Sequence, residues 1–222
     1  MNAVTSYRVR DARARLITQG PQQLSEVELL SLLVKPGNDR CPHDYARDLI
    51  VHFGSLRSLC TADRNAASAA KLSDNNFARL HAALELTRRH YQQLMTTGCA
   101  LSNPRLTREF LQMRLRDLPH EVFCVVLLDN RNRVIEFRQL FRGTIDGTSV
   151  HPREVVKLAL SVNAAAVIFA HNHPSGIAEP SQADELITRR LKEALSLIDV
   201  RVLDHLIIGD GVCESFAERG LL

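Results

Sequence analysis

The sequence predicts two architectures in tandem: a helical N-terminal region followed by a layered α/β domain. Three observations carry this. Over roughly the first 95 residues, apolar positions recur at helical spacing between capping and breaking signals. From Glu121 onward the period changes, and near-continuous apolar runs of strand length alternate with amphipathic helical stretches. One of those runs, Ala164 to Ala170, leads straight into His171-Asn172-His173-Pro174-Ser175-Gly176.

In the N-terminal part, Ser25-Glu26-Val27-Glu28 reads as a capping box, with Leu29, Leu30, Leu32 and Leu33 as the apolar face behind it. Lys35-Pro36-Gly37-Asn38 stops that helix. A second helix is expected from about Pro42 to His52, closed by Phe53-Gly54-Ser55. A third is expected over Asn76 to Leu94, with Phe77, Leu80, Leu84 and Tyr91 at helical spacing. The pattern lapses between Met95 and Pro104, so a domain boundary is expected there, giving domains 1–98 and 99–222. Leu106, Phe110 and Met113 mark a short helix after it.

In the second part, Val122 to Leu128 is expected as a strand that turns through Asp129-Asn130-Arg131-Asn132 into a partner strand, Val134 to Phe141. His151 to Val162 reads as a helix with Val155, Val156, Ala159 and Leu160 on one face. Ala165 to Ala170 is a short buried strand. Ser181 caps a helix whose face is Ile187, Leu191, Ala194 and Ile198. Val200 to Ile208 and Val212 to Phe216 finish as strands around Gly209-Asp210-Gly211.

Composition is that of a globular protein, with 45% hydrophobic and 24% charged residues. No stretch approaches the roughly 20 apolar residues of a membrane span, so no membrane partner is expected. Met1 to Leu16 has no apolar core of the kind a signal peptide carries, and the expectation is a cytoplasmic protein. The five cysteines are scattered, odd in number and without a CxxC pair, which argues against structural disulfides and excludes a cysteine zinc knuckle. Cys124, inside a strand-like run, reads as a small buried apolar residue. Residues 1–100 carry 13 Lys+Arg against 9 Asp+Glu, and residues 101–222 carry 15 against 16. A polyanion such as DNA would therefore meet the N-terminal half, although a solvated basic face is the simpler reading. Nothing in the sequence specifies an oligomeric state.

The chemistry concentrates in the second part. His171 and His173 stand two residues apart at a strand end, so both imidazoles can face one cation. Pro174 and Gly176 turn the chain away. Ser181-Gln182-Ala183-Asp184 opens a helix, and Asp184 in its first turn can offer an oxygen from a third direction. Two nitrogens, one oxygen and an open fourth position form the donor set of a catalytic zinc site. A hydrolase of this kind also needs a general base. Glu121, at the start of the Val122 strand, is the candidate if that strand lies beside the His-bearing one; Glu136 and Glu154 are competitors. Taken alone, Ser181 with Asp184 is more often a helix cap than an active site. His205, beside Asp204, is most simply a satisfied core histidine, with orientation of a metal ligand as the other reading. His151 is expected to cap its helix or pack locally.

HxHPSG followed by PSxxD, with an upstream glutamate beginning a strand, resembles the JAMM motif of the MPN metallopeptidase superfamily. The resemblance is closest to the RadC family. It extends over Phe141 to Thr144, His151 to Val155, Ala170 to Gly176, Leu203 to Ile207 and Ser215 to Leu222, and in the helical part over Gln23 to Leu33 and Phe53 to Leu56. It implies a cytidine-deaminase-like α/β sandwich in the second domain. It implies Zn2+ held by His171, His173 and Asp184, with Glu121 as acid/base and Ser181 stabilising the oxyanion. The implied reaction is hydrolysis of an amide or isopeptide bond in a peptide or protein substrate. RadC-type N-terminal domains usually carry a Gly-rich helix-hairpin-helix turn that can meet a DNA phosphate. Here the matching segment, Lys71 to Phe77, has lost its glycines, and Asp74 adds negative charge. The alternative to the enzyme is a non-catalytic DNA- or partner-binding module with a structural metal. A nucleobase deaminase would need HxE followed by PCxxC, and this chain has neither.

Overall fold

Residues 3–37, 40–97, 104–143 and 150–222 are described by the computed structural model. Backbone proximity groups the chain into two units, Met1–Thr87 and Arg88–Leu222. The boundary expected between residues 98 and 99 lies outside the described residues.

The first unit is helical. It comprises α1 (Ala3–Gln19), a 3-10 turn (Pro21–Gln23), α2 (Glu26–Leu33), α3 (Pro42–Phe53), α4 (Leu56–Thr61), α5 (Arg64–Ala69) and most of α6 (Asp74–Thr97). The capping box at α2 forms as the sequence indicates. The Ser25 hydroxyl accepts from the Glu28 amide, and the Glu28 carboxylate accepts from the Ser25 amide at 2.8 Å. Gly54 ends α3 at φ 77, a left-handed conformation open to glycine at little cost. α4 and α5 are not individually anticipated by the sequence analysis. At six residues each they show less than two turns of periodicity, and only their caps, Ser55 and Asp63, announce them. Leu30, Val34, Tyr45, Ala46, Leu49, Leu59, Ala67, Leu72 and Leu80 form the core. Buried Asn76 clamps both backbone groups of Lys35, accepting at 2.9 Å and donating at 2.7 Å. In the α5–α6 turn, Lys71 takes φ 57, and Asp74 pairs with Arg64 at 2.7 Å.

The second unit is a three-layer α/β arrangement. Its described elements, besides the end of α6, are α7 (Pro104–Leu115), β1 (Val122–Leu128), β2 (Val134–Arg142), α8 (Pro152–Ser161), β3 (Ala166–Asn172), α9 (Gln182–Ser196), β4 (Arg201–Ile208) and β5 (Cys213–Ser215). The sheet order is β2-β1-β3-β4-β5. The β3–β4 pair is parallel, and the other three are antiparallel. β1 and β3 are buried at every position, which is why they read as continuous apolar runs rather than alternating ones.

Alternate residues of each strand serve opposite faces. Cys124, Val126, Ile168, Ala170 and Leu206 pack with Phe110, Leu111 and Leu115 of α7. Val125, Leu127, Val167 and Phe169 pack with Val155 and Ala159 of α8 and Leu191 and Leu195 of α9. Burial pushes the Cys124 thiol up to about 12, so it behaves as a small apolar residue, as expected. Among the described residues Cys41, Cys124 and Cys213 are free thiols.

Three expectations need correction. Leu160 is 55% exposed and not on the buried face of α8. α9 ends at Ser196, so Ile198 packs on the core from beyond the helix. The last strand is only Cys213–Ser215, because three residues suffice to pair with the end of β4.

Candidate metal centre

Three elements of the second unit converge on one point. β3 carries His171 on the face toward α8 and α9, directly opposite Phe123 of β1. The chain then leaves the sheet through His173, whose amide still donates to the Ile208 carbonyl at 2.9 Å. The turn that follows depends on two glycines. Gly176 has φ 84, and its carbonyl accepts from the Asp210 amide at 2.7 Å. At Gly209 a Cβ would lie 2.4 Å from the Gly176 carbonyl oxygen. Only a bare backbone lets the 209–211 turn brace the loop below the histidines. Ser181 is the N-cap of α9, and Asp184 is its N3 residue.

His171 Nε2 and His173 Nε2 face each other at 3.0 Å. Asp184 Oδ1 is 3.2 Å from His171 Nε2, and its Oδ2 is 3.8 Å from His173 Nε2. All the candidate donor atoms lie within 4.8 Å of one another. These separations fit a metal. Tetrahedral Zn–N and Zn–O bonds of about 2.0–2.1 Å put neighbouring ligand atoms about 3.3 Å apart. The proton inventory fits as well. The Ile177 carbonyl can only accept, so His173 Nδ1 carries the proton donated to it at 2.7 Å. His173 Nε2 is therefore the ring nitrogen left facing the site, alongside the Asp184 carboxyl group. A cation would satisfy such a donor set. His171 is fully buried, whereas His173 and Asp184 keep 20% and 14% of their side-chain surface. The centre is thus closed on the protein side and open on the other. Burial holds His171 down, to about 4, against the pull of Asp184, so at neutral pH its ring is neutral.

The open side is a cleft of about 380 Å³, lined among others by Glu121, His173, Ser181, Asp184 and Arg190. Glu121 stands one residue before β1. Two residues beyond the Phe123–His171 pair on the two antiparallel strands lie Glu121 and His173, and this is how the glutamate reaches the same cleft. The competitors are engaged elsewhere. Glu136 pairs with Arg138, and Glu154 pairs with Lys157 and Arg153. Ser181 occupies the cleft wall, but its hydroxyl proton is directed to Asp184 Oδ2 at 2.6 Å. It caps the helix and steadies one carboxylate oxygen while Oδ1 faces His171. His151, at the N-terminal end of α8, makes no side-chain cap; it meets Phe141 edge-on.

One contribution escapes the sequence reading, and a second follows the alternative it held for His205. Asn172, between the histidines, points to the other face of β3. Its Oδ1 accepts from the Val122 amide at 2.9 Å, and its Nδ2 donates to the His120 carbonyl at 3.0 Å. It pins the backbone on both sides of Glu121. Alternation along the strand was the available signal. His205 is not merely a packed core histidine: its Nε2 lies 2.8 Å from His171 Nδ1, and its Nδ1 lies 2.6 Å from the Thr188 hydroxyl.

Fold and site together define an α/β domain of the JAB/MPN type. A family profile described as "RadC-like JAB domain" matches residues 101–221, and one described as "UPF0758 N-terminal" matches residues 10–73. The chain is 53% identical to a UPF0758 protein of Nitrosococcus oceani, over 99% of its own length and 100% of the relative's. It is 54% identical to UPF0758 proteins of Thioalkalivibrio sulfidiphilus and Marinobacter nauticus, over 95% of each chain. The protein belongs to the RadC family. Among the described residues no helix is long and apolar enough to cross a membrane.

Proposed function

We propose that the protein is a cytoplasmic, zinc-dependent hydrolase of amide or isopeptide bonds in peptide or protein substrates. The observation that carries this is the convergence of His171, His173 and Asp184 at the floor of an open cleft that Glu121 also lines.

When bound by these three residues, zinc supplies Lewis acidity: it acidifies water and polarises a carbonyl. The chain's own residues supply the rest. Glu121 takes the water's proton as general base and returns it to the leaving amine as general acid, a role typically worth about 10² to 10⁴ in rate. Asn172 keeps the Glu121 backbone in register with the histidine strand. Ser181 serves the developing oxyanion by rotating its hydroxyl away from Asp184 Oδ2, and its backbone amide, 2.8 Å from that oxygen, keeps the carboxylate oriented meanwhile.

The test is Glu121→Gln in the full chain, assayed on a peptide and isopeptide library read by mass spectrometry. The variant should keep its zinc and lose turnover. Turnover at the wild-type rate contradicts the mechanism.

The second reading, a DNA- or partner-binding module with a structural metal, draws on the basic excess of residues 1–100. Asp74, at the start of α6, argues against phosphate contact at the α5–α6 turn. A module of this kind binds duplex DNA with steep salt dependence and keeps binding in Asp184→Ala.

A further inference from the structure

Behind the proposed metal ligands lies a chain of buried polar groups that the mechanism above does not use. Thr188 of α9 and His205 of β4 are 1% and 0% exposed, and neither reaches the cleft. The Thr188 Oγ1 is 2.6 Å from the Asp184 backbone carbonyl and 2.6 Å from His205 Nδ1. His205 Nε2 is 2.8 Å from His171 Nδ1.

The direction of every proton in this chain follows from one fixed end. A carbonyl oxygen only accepts, so the single hydroxyl proton of Thr188 goes to Asp184. The hydroxyl oxygen must then accept from His205, which puts the His205 proton on Nδ1. The fully buried His205 ring packs among Phe123, Phe169 and Phe216, and its nitrogens meet Thr188 and His171 rather than a carboxylate, so the ring is neutral and carries that one proton. Its Nε2 is therefore an acceptor, and His171 must donate from Nδ1. The His171 lone pair is left on Nε2, the atom that faces His173 and Asp184.

We infer that Thr188 and His205 are positioning residues: they form a one-way hydrogen-bond chain that locks His171 in the tautomer whose Nε2 lone pair faces the metal centre. Without the threonine hydroxyl, His205 loses the acceptor that fixes its proton on Nδ1. Its ring can then carry the proton on Nε2 and donate to His171. That forces the His171 proton onto Nε2, where it blocks coordination. The chain begins at the carbonyl of Asp184, itself a proposed ligand, so the orientation of one ligand is tied to the backbone of another.

The significance for zinc rests on the function proposed above; the tautomer does not. The experiment uses metal-free, 15N-labelled full-length protein and long-range 1H–15N correlation of the histidine rings, which separates Nδ1–H from Nε2–H forms. Wild type should show His171 and His205 both as Nδ1–H. Thr188→Val should populate the Nε2–H form of His171 and weaken zinc binding by about 10- to 100-fold in competition with a chromophoric chelator. Thr188→Ser should restore both. If Thr188→Val does not fold, His205→Gln provides the same readouts, with zinc weakened to a similar extent. His171 found as Nε2–H in the wild type overturns the inference, as does a tautomer and zinc affinity unchanged in both variants. A wild type with the expected tautomers that binds no zinc contradicts the proposed function and leaves the lock standing.

Discussion

His171 has no exposed surface, yet one of its ring nitrogens faces His173 and Asp184, which line an open cleft. This combination has a consequence for stability in the metal-free protein. Burial lowers its folded-state value to about 4 from 6.5. Above pH 6.5 neither the folded nor the unfolded state binds the proton, and the contribution of His171 is complete. Between pH 6.5 and 4 only the unfolded chain is protonated, so stability falls as pH falls. Urea unfolding of the metal-free chain from pH 7.5 to 4.5 should show midpoints dropping over this range, with His171→Gln flattening the drop. Parallel profiles for the two proteins contradict it. At this scale the sequence reveals His171, His173 and Asp184 because all three lie within a fourteen-residue stretch whose geometry is local. Thr188 and His205 were not legible as a pair. Their contact depends on the parallel register that sets Phe169 beside His205 and on the docking of α9 over it.

Among the elements, β1, β3 and the start of α9 carry the proposed site. β1 and β3 are held in register by ladder hydrogen bonds and, at the open end, by Asn172. Replacing Asn172 with Ala strands the buried Val122 amide and the His120 carbonyl. An unsatisfied buried group costs about 1–3 kcal/mol, so Asn172→Ala should unfold at lower urea. It should also lose turnover while retaining zinc, because it frees the Glu121 segment and leaves the ligands in place. Zinc loss with normal turnover per bound metal contradicts that assignment. Gly209→Ala brings a methyl against the Gly176 carbonyl at 2.4 Å, a backbone contact that a side-chain rotation cannot relieve. Its effect should be lower zinc affinity, measured by chelator competition, because the displaced loop carries His173. Affinity equal to wild type contradicts the bracing role. Element identity was legible where periodicity had length to show itself, as in α2, α3, β1 and β3. It failed for α4 and α5, which are short, and for Leu160, whose helical position shares the apolar stripe but whose side chain meets no opposing layer.

For the whole molecule, zinc held at the proposed site would couple to folding of the second unit, since the proposed ligands come from β3, the loop after it and α9. A ligand held only by the native state stabilises by about 2.7 kcal/mol at a hundred times its Kd. Thermal unfolding of the full chain should therefore shift upward with added zinc, and not at all in the Asp184→Ala variant. The layered α/β architecture was legible because buried strands and amphipathic helices alternate from Glu121 on. The order of the strands was not, since adjacency of β1 and β3 arises from packing on both faces rather than from any local signal. Metal content by mass spectrometry on purified full-length wild type and Asp184→Ala decides whether these three residues hold zinc. The account predicts about one zinc per chain in the wild type and its loss in the variant. Wild-type protein without stoichiometric metal, or a variant that keeps its full zinc, would contradict it.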